Sequence, residues 1–177
     1  RGAKVTLVTT ANLPAPAGAD VIDVVSAADM EAAVMPRADE HDVIVMAAAV
    51  ADYRPEIESD QKIKKSNAPL NIQLVSNPDI LKELGEIKGT QERPFLVGFA
   101  VETGDTEKLL SEAKRKLEAK NADLLVGNLA QDSFDKDTNK VLIVSKGGNA
   151  EEIDKARKSL IAKRIFDTVA TNTRSQS

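Results

Sequence analysis

Short apolar runs recur along the chain, and stretches with helical spacing lie between them. Lys4–Thr10 is β-branched, runs into a loop bearing proline and glycine at Asn12–Gly18, and predicts a strand; Val21–Val25 predicts a second. Ser26 stands where an N-cap belongs, opening a helix over Ala27–Met35 that Pro36 ends. Asp42–Ala47 is nearly continuous in its apolar character, as in a central parallel strand covered on both faces. Leu70–Val75 alternates and reads as an edge or half-exposed strand.

Asn77-Pro78-Asp79 is a helix start leading into Ile80–Ile87, and Phe95–Ala100 is another buried strand. Thr106–Lys120 carries Leu109, Leu110, Ala113 and Leu117 on one side of a helix. Asp123–Val126 is a strand ending at Gly127-Asn128, and a polar arm precedes the strand Val141–Ser145. Gly147-Gly148-Asn149 breaks to a last helix over Glu151–Ala170, with Ile153, Ala156, Leu160, Ile165 and Val169 inward. Strands alternating with helices predict an α/β fold: three layers around a mainly parallel, Rossmann-like sheet.

Composition narrows the chemistry. At 177 residues the chain suits one domain, 1–177, with a sizeable core. A net charge of −4 argues against a general nucleic-acid or membrane-surface binder, so any bound anion must meet a local cluster of cations. Cysteine is absent and His41 is the single histidine, which excludes thiolate chemistry and all but excludes Ser-His-Asp chemistry and histidine zinc sites. No apolar run reaches the ~20 residues of a membrane span, and a cytoplasmic location is expected. Gly2 directly before a strand resembles the cap of a preceding helix, so a first strand and helix are expected upstream of Arg1.

The densest chemistry lies between Met46 and Lys65, M-A-A-A-V-A-D-Y-R-P-E-I-E-S-D-Q-K-I-K-K. An apolar run empties into small alanines, then Asp52 and Arg54 occupy a polar turn, and Lys62, Lys64 and Lys65 follow. A phosphate-binding α/β protein needs small side chains, an acidic group and fixed cations at the mouth of its sheet. The plain alternative is a solvated basic loop after a turn in which Asp52 caps its own backbone.

Taken in order, A-A-A-V-A-D-Y-R-P, K-I-K-K, S-N-P-D-I-L, V-G-F-A-V-E-T, K-L-x-x-K-N-A-D-L-L-V-G-N and the F-x-x-D-x-N arm resemble bacterial phosphopantothenoylcysteine synthetase, across nearly the whole chain. The resemblance implies a CTP-dependent ligase of coenzyme A biosynthesis. It would join 4′-phosphopantothenate to L-cysteine through an acyl-cytidylate, with Mg²⁺ accompanying CTP and no dedicated protein metal cage. It implies a homodimer, with Ser133–Asn139 as the dimer-contact flap, and a flavin-dependent decarboxylase domain in the same parent polypeptide. Neither nucleic acid nor membrane is an implied partner. Family members open with a strand, a Gly-rich turn and an N-x-S-S-G segment, and neither motif occurs here.

Carried over residue by residue, the resemblance makes Lys62 the catalytic cation that helps form the intermediate. Met46, Ala47, Ala48, Asp52, Pro78, Asp79, Ile80, Leu81, Phe99, Lys116 and Lys120 match the nucleotide-binding positions. Each has a plain structural reading beside it: strand-end packing for the alanines, an N-cap for Pro78–Leu81, core for Phe99, a solvated helix face for the lysines. Two rival functions stay open on sequence alone. One is a nicotinamide-dependent oxidoreductase, against which stand the lack of G-x-G-x-x-G after a strand and of any Tyr-x-x-x-Lys, Tyr53 being the single tyrosine. The other is a noncatalytic dimerisation or nucleotide-binding module.

Overall fold

A computed structural model of the chain describes residues 2–59, 61–65, 69–130 and 137–174. They fall into two compact units, Arg1–Val34 with Ala49–Asp79, and Met35–Ala48 with Ile80–Ser177.

In the first unit β1 (Val5–Thr9) and β2 (Ala19–Asp23) pair in parallel, Val5 opposite Ala19 and Thr9 opposite Asp23. Helix α1 (Ala27–Val34) starts from a reciprocal cap. The Ser26 hydroxyl accepts from the Asp29 amide at 3.1 Å, while the Asp29 carboxylate accepts from the Ser26 amide at 2.9 Å and its hydroxyl at 2.8 Å. This is a capping box with Asp in the usual Glu place, and it satisfies donors that the first turn leaves without helical partners. The hydroxyl and amide of Ser26, then the amide of Val25, hold the Asp29 carboxyl below the usual aspartate range. β4 (Tyr53–Pro55) and β5 (Leu74–Ser76) form a short antiparallel ribbon.

The second unit holds a five-stranded sheet in the order β3-β6-β7-β8-β9. Strands β3 (Val43–Met46), β6 (Phe95–Glu102) and β7 (Leu124–Leu129) are parallel, and β8 (Thr138–Ser145) and β9 (Ala150–Arg157) turn antiparallel. Helices α2 (Ile80–Lys88) and α3 (Thr106–Ala119) link the parallel strands. On one face Ile161, Ile165 and Val169 of α4 (Lys158–Arg174), four apart and so on one stripe, cover Phe95, Val97, Leu124, Val126, Val141 and Ile143. On the other, Leu109, Ala113 and Leu117 of α3 cover Ala100, Leu125, Leu142 and Val144. Each such side chain contributes about 1.5–3 kcal/mol by leaving water. The fold is the expected three-layer α/β arrangement with a parallel centre.

A buried ion pair fixes the amino end of this sheet. Lys88, closing α2, pairs with Asp123, whose carboxylate also accepts from the Leu96 amide at 2.7 Å. The Asp123 amide returns a bond to the Leu96 carbonyl at 2.9 Å. Both side chains are buried, so removing either charge alone costs about 3–5 kcal/mol.

Several expectations are corrected. The helix over Glu151–Ala170 is β9 followed by α4. Ile153 and Ala156 have helical spacing, but β9 carries an extra residue between the pairs Asn139–Ala156 and Val141–Ile153. That bulge turns two residues three apart to one side of a strand. The Gly147-Gly148 turn, both with positive φ, makes β8 and β9 a hairpin, so the sheet's far half is antiparallel. The strand over Leu70–Val75 is only Leu74–Ser76, because β4 offers three residues to pair with, and Leu70 and Ile72 stand exposed. Among the described residues strand β3 is an edge of its sheet rather than a central strand. Helix α1 stops at Val34, and the chain continues in a tighter 3₁₀ stretch, Met35–Glu40, through Pro36. β7 runs on through Gly127 and Asn128. Thr138 and Asn139 of the expected arm begin β8, and 133–136 lie outside the described residues.

Candidate active site

In a parallel α/β sheet the ligand edge is the one where strands end and helices begin. Here β3 stops at Met46, opposite Gly98, while β6 runs four residues further to Glu102. On that side no strand pairs with Phe99–Glu102 among the described residues, and Ala47 and Ala48, which follow β3, are exposed. Helix α2 starts at the same level. A Cβ on Gly98 would lie 2.5 Å from Leu81 Cδ2, so the bare glycine lets Leu81 seat against β6 there. Ile80 and Leu81 are buried, and what they present outward is the amide-rich start of a helix, which favours negative charge. The structure thus brings Met46, Ala47, Ala48, Ile80, Leu81 and Phe99 to one edge.

Lys116 reaches this edge as well. Its Nζ lies 2.5 Å from Oε1 of Glu102, the last residue of β6. Nearby on α3, Arg115 grips Glu112 through Nε at 3.0 Å and Nη2 at 2.8 Å. That hydrogen-bonded contact lowers the Glu112 carboxyl below its usual range and raises the guanidinium. Lys120 caps α3 about one turn lower, its carbonyl set against Gly85 of α2. Asn121, next in the chain at φ 47°, donates to the carbonyls of Gly85 and Gly89 at 3.0 and 2.7 Å and locks the two helix ends together.

The remaining predicted residues belong to the first unit. The Asn77 amide donates to the Asp52 carbonyl and its Nδ2 to the Ala51 carbonyl, both at 2.8 Å. Arg54 donates to the Ser76 carbonyl at 2.8 Å and to Asn77 Oδ1 at 3.0 Å. This clasp holds the Asp52 turn to the segment carrying Pro78 and Asp79 and leaves Asp52 exposed. Lys62, Lys64 and Lys65 are exposed side chains on a segment without regular structure.

Sequence reasoning missed Glu102, the Asn77–Arg54 clasp and the amide of Asn128. The first two depend on contacts 14 to 26 residues apart. Asn128 stands in the sequence only as part of a strand's end; its side chain is buried, and Nδ2 finds no hydrogen-bond partner among the described residues. His41 sits at the opposite, amino end of β3, with Nδ1 2.8 Å from the Arg37 carbonyl.

Comparisons with known proteins give the chain's family. The sequence pattern of the family described as DNA/pantothenate metabolism flavoprotein C-terminal domain matches residues 1–173. The coenzyme A biosynthesis bifunctional protein CoaBC of Vibrio cholerae is 43% identical over 153 residues, 83% of this chain and 37% of that protein. CoaBC of Mycolicibacterium smegmatis is 40% identical over 185 residues, 99% of this chain and 45% of that protein. The chain therefore spans less than half the length of these curated relatives. The crystal structure of a CoaBC C-terminal domain superposes with a TM-score of 0.78 at 32% identity, over 98% of this chain and 76% of that one.

Proposed function

The chain belongs to the DNA/pantothenate metabolism flavoprotein C-terminal domain family, and on that footing we propose that residues 1–177 act as one synthetase domain joining 4′-phosphopantothenate to L-cysteine at the expense of CTP. The observation that carries this reading is the edge where β6 outruns β3, with the start of α2, Phe99 and Lys116 beside it.

The first step forms a bond from a carboxylate oxygen of the acid to the α-phosphorus of CTP and breaks the bond to the β-phosphate, releasing pyrophosphate. In the second, the cysteine amine attacks the activated carbonyl, the carbon–oxygen bond to phosphate breaks, CMP leaves and the amine proton goes to solvent. Neither step needs a protein nucleophile, which suits a chain with no cysteine and one histidine. The protein's part is to align reactants and to set positive charge where phosphate oxygens gather negative charge. Lys62 is the cation assigned to the α-phosphate, by its place in K-I-K-K. Lys116 and Lys120 are assigned to the triphosphate, and the amides opening α2 and the backbone at Phe99 to the nucleotide. Asp52 is assigned to the ribose or the metal-bearing phosphates.

Magnesium would ride on the triphosphate and offset its charge. Among the described residues no group of three or more His, Cys, Asp or Glu could hold a metal ion, and Asp52 is the carboxylate assigned to meet an ion carried by the phosphates. The parent polypeptide would add a flavin-dependent decarboxylase, and the active form would be a homodimer in the cytoplasm. No described helix is long and apolar enough to cross a membrane.

Calorimetric titration with CTP, UTP, ATP and NADPH tests the reading. Selective CTP binding supports it. Binding of NADPH would point to the oxidoreductase, and no nucleotide binding to a noncatalytic module.

A further inference from the structure

We propose that Asn128 contacts the acid substrate, its Nδ2 donating to an oxygen of the carboxyl group that becomes activated; this rests on the ligase reading above. A buried amide nitrogen without an acceptor is destabilising, and folds rarely keep one without a use. Asn128 is 6% exposed, and its Nδ2 is such a nitrogen among the described residues.

Its position says what that use is. Asn128 is the next-to-last residue of β7, at the carboxyl edge, paired in register with Val101. Side chains alternate along a strand, so Asn128 shares the α4-facing side with Leu124 and Val126, and Phe99 and Val101 share it with Phe95 and Val97. Leu81 and α3 lie on the other side: Leu81 meets Gly98, Leu109 meets Gly127, and Glu102 with its partner Lys116 follows the parity of Ala100. The edge therefore has two faces with different chemistry. The α2/α3 face offers a helix start and a cation, which suit a nucleotide triphosphate. The α4 face offers Phe99 and Val101, 38% and 47% exposed, as an apolar strip ending at a hydrogen-bond donor. A branched aliphatic acid fits that strip with its carboxyl group at Asn128, and the two substrates meet over the unpaired end of β6, where the acyl–phosphate bond must form.

Asn128→Leu tests this, because it keeps the volume and removes the orphan donor. The expected result is a loss of about tenfold or more in kcat/KM for 4′-phosphopantothenate. The KM for CTP should stay within about twofold. The melting temperature should be equal to or above that of the wild type, and the upward melting shift produced by the acid alone should shrink. Kinetics for the acid within about twofold of wild type would overturn the proposal, whatever happens to the melting temperature. So would an effect confined to CTP. Should Asn128→Leu not fold, Asn128→Ser is read against the same thresholds. Wild-type protein that makes no amide from CTP sinks the ligase reading and this inference together, whereas active wild type with an unaffected variant sinks only this inference.

Discussion

Lys116 Nζ and Glu102 Oε1 stand 2.5 Å apart, tying the last turn of α3 to the final residue of β6. The side chains are 29% and 18% exposed, so water screens the pair only in part. Glu102 occupies the cation that the proposed function assigns to the triphosphate, and on that reading a bound nucleotide would compete with the carboxylate for it. Glu102→Gln should lower the KM for CTP by about threefold, with a steeper salt dependence, and Lys116→Ala should raise it by about tenfold. A higher KM in Glu102→Gln would mean instead that the carboxylate holds Lys116 in its binding position.

Lys62 is exposed and on no regular element, so its removal disturbs no packing. Lys62→Ala should cut turnover by roughly a hundredfold or more while the unfolding midpoint stays put. Rapid-quench detection of the acyl-cytidylate would show the loss at the first step, and wild-type intermediate formation would remove Lys62 from the mechanism. Lys120→Ala should weaken CTP binding in a salt-sensitive way, and an unchanged KM would dissociate it from the triphosphate.

Gly85 is where α2 and the end of α3 touch. A Cβ there would come within 1.9 Å of the Lys120 carbonyl oxygen and 2.8 Å of its carbon, both backbone atoms that cannot swing aside. Gly85→Ala should therefore lower stability by about 1–3 kcal/mol or more in urea unfolding, although alanine favours a helix over glycine. A stabilised variant would show that the helix ends separate at little cost.

Asp29 gives a pH signature. Hydrogen bonds from the Ser26 hydroxyl and amide, then from the Val25 amide, depress its carboxyl in the folded state. A depressed folded value adds stability that is full above the unfolded carboxyl's pKa, about 4, and is lost as pH falls through the lower folded value. Asp29→Asn should melt below wild type at neutral pH, and the gap should narrow in acid. A gap independent of pH would remove the carboxylate's charge from the cap.

The parallel centre of the fold was readable because β3, β6 and β7 are apolar runs, the last two buried, and α2 and α3 carry their own start signals. The far half was misread for a local reason. The bulge in β9 gives Ile153 and Ala156 the spacing of a helix, and only pairing with Asn139 and Val141 distinguishes the two. Leu70 and Ile72 show the converse, an alternation that finds no partner strand among the described residues. At the site, residue type pointed to Met46–Ala48, Ile80, Leu81, Phe99 and Lys116, and the sheet assembles these at one edge. The Glu102 pairing and the orphan amide of Asn128 arise from register and strand parity, which no single stretch of sequence carries.

The most direct measurement follows phosphorus. With CTP and 4′-phosphopantothenate but no cysteine, ³¹P spectra should show pyrophosphate appearing together with an acyl-cytidylate, and cysteine should then release CMP in equal amount to amide. Release of orthophosphate with CDP, or no cytidylate before cysteine is added, would contradict a ligase that activates its acid on the α-phosphate of CTP.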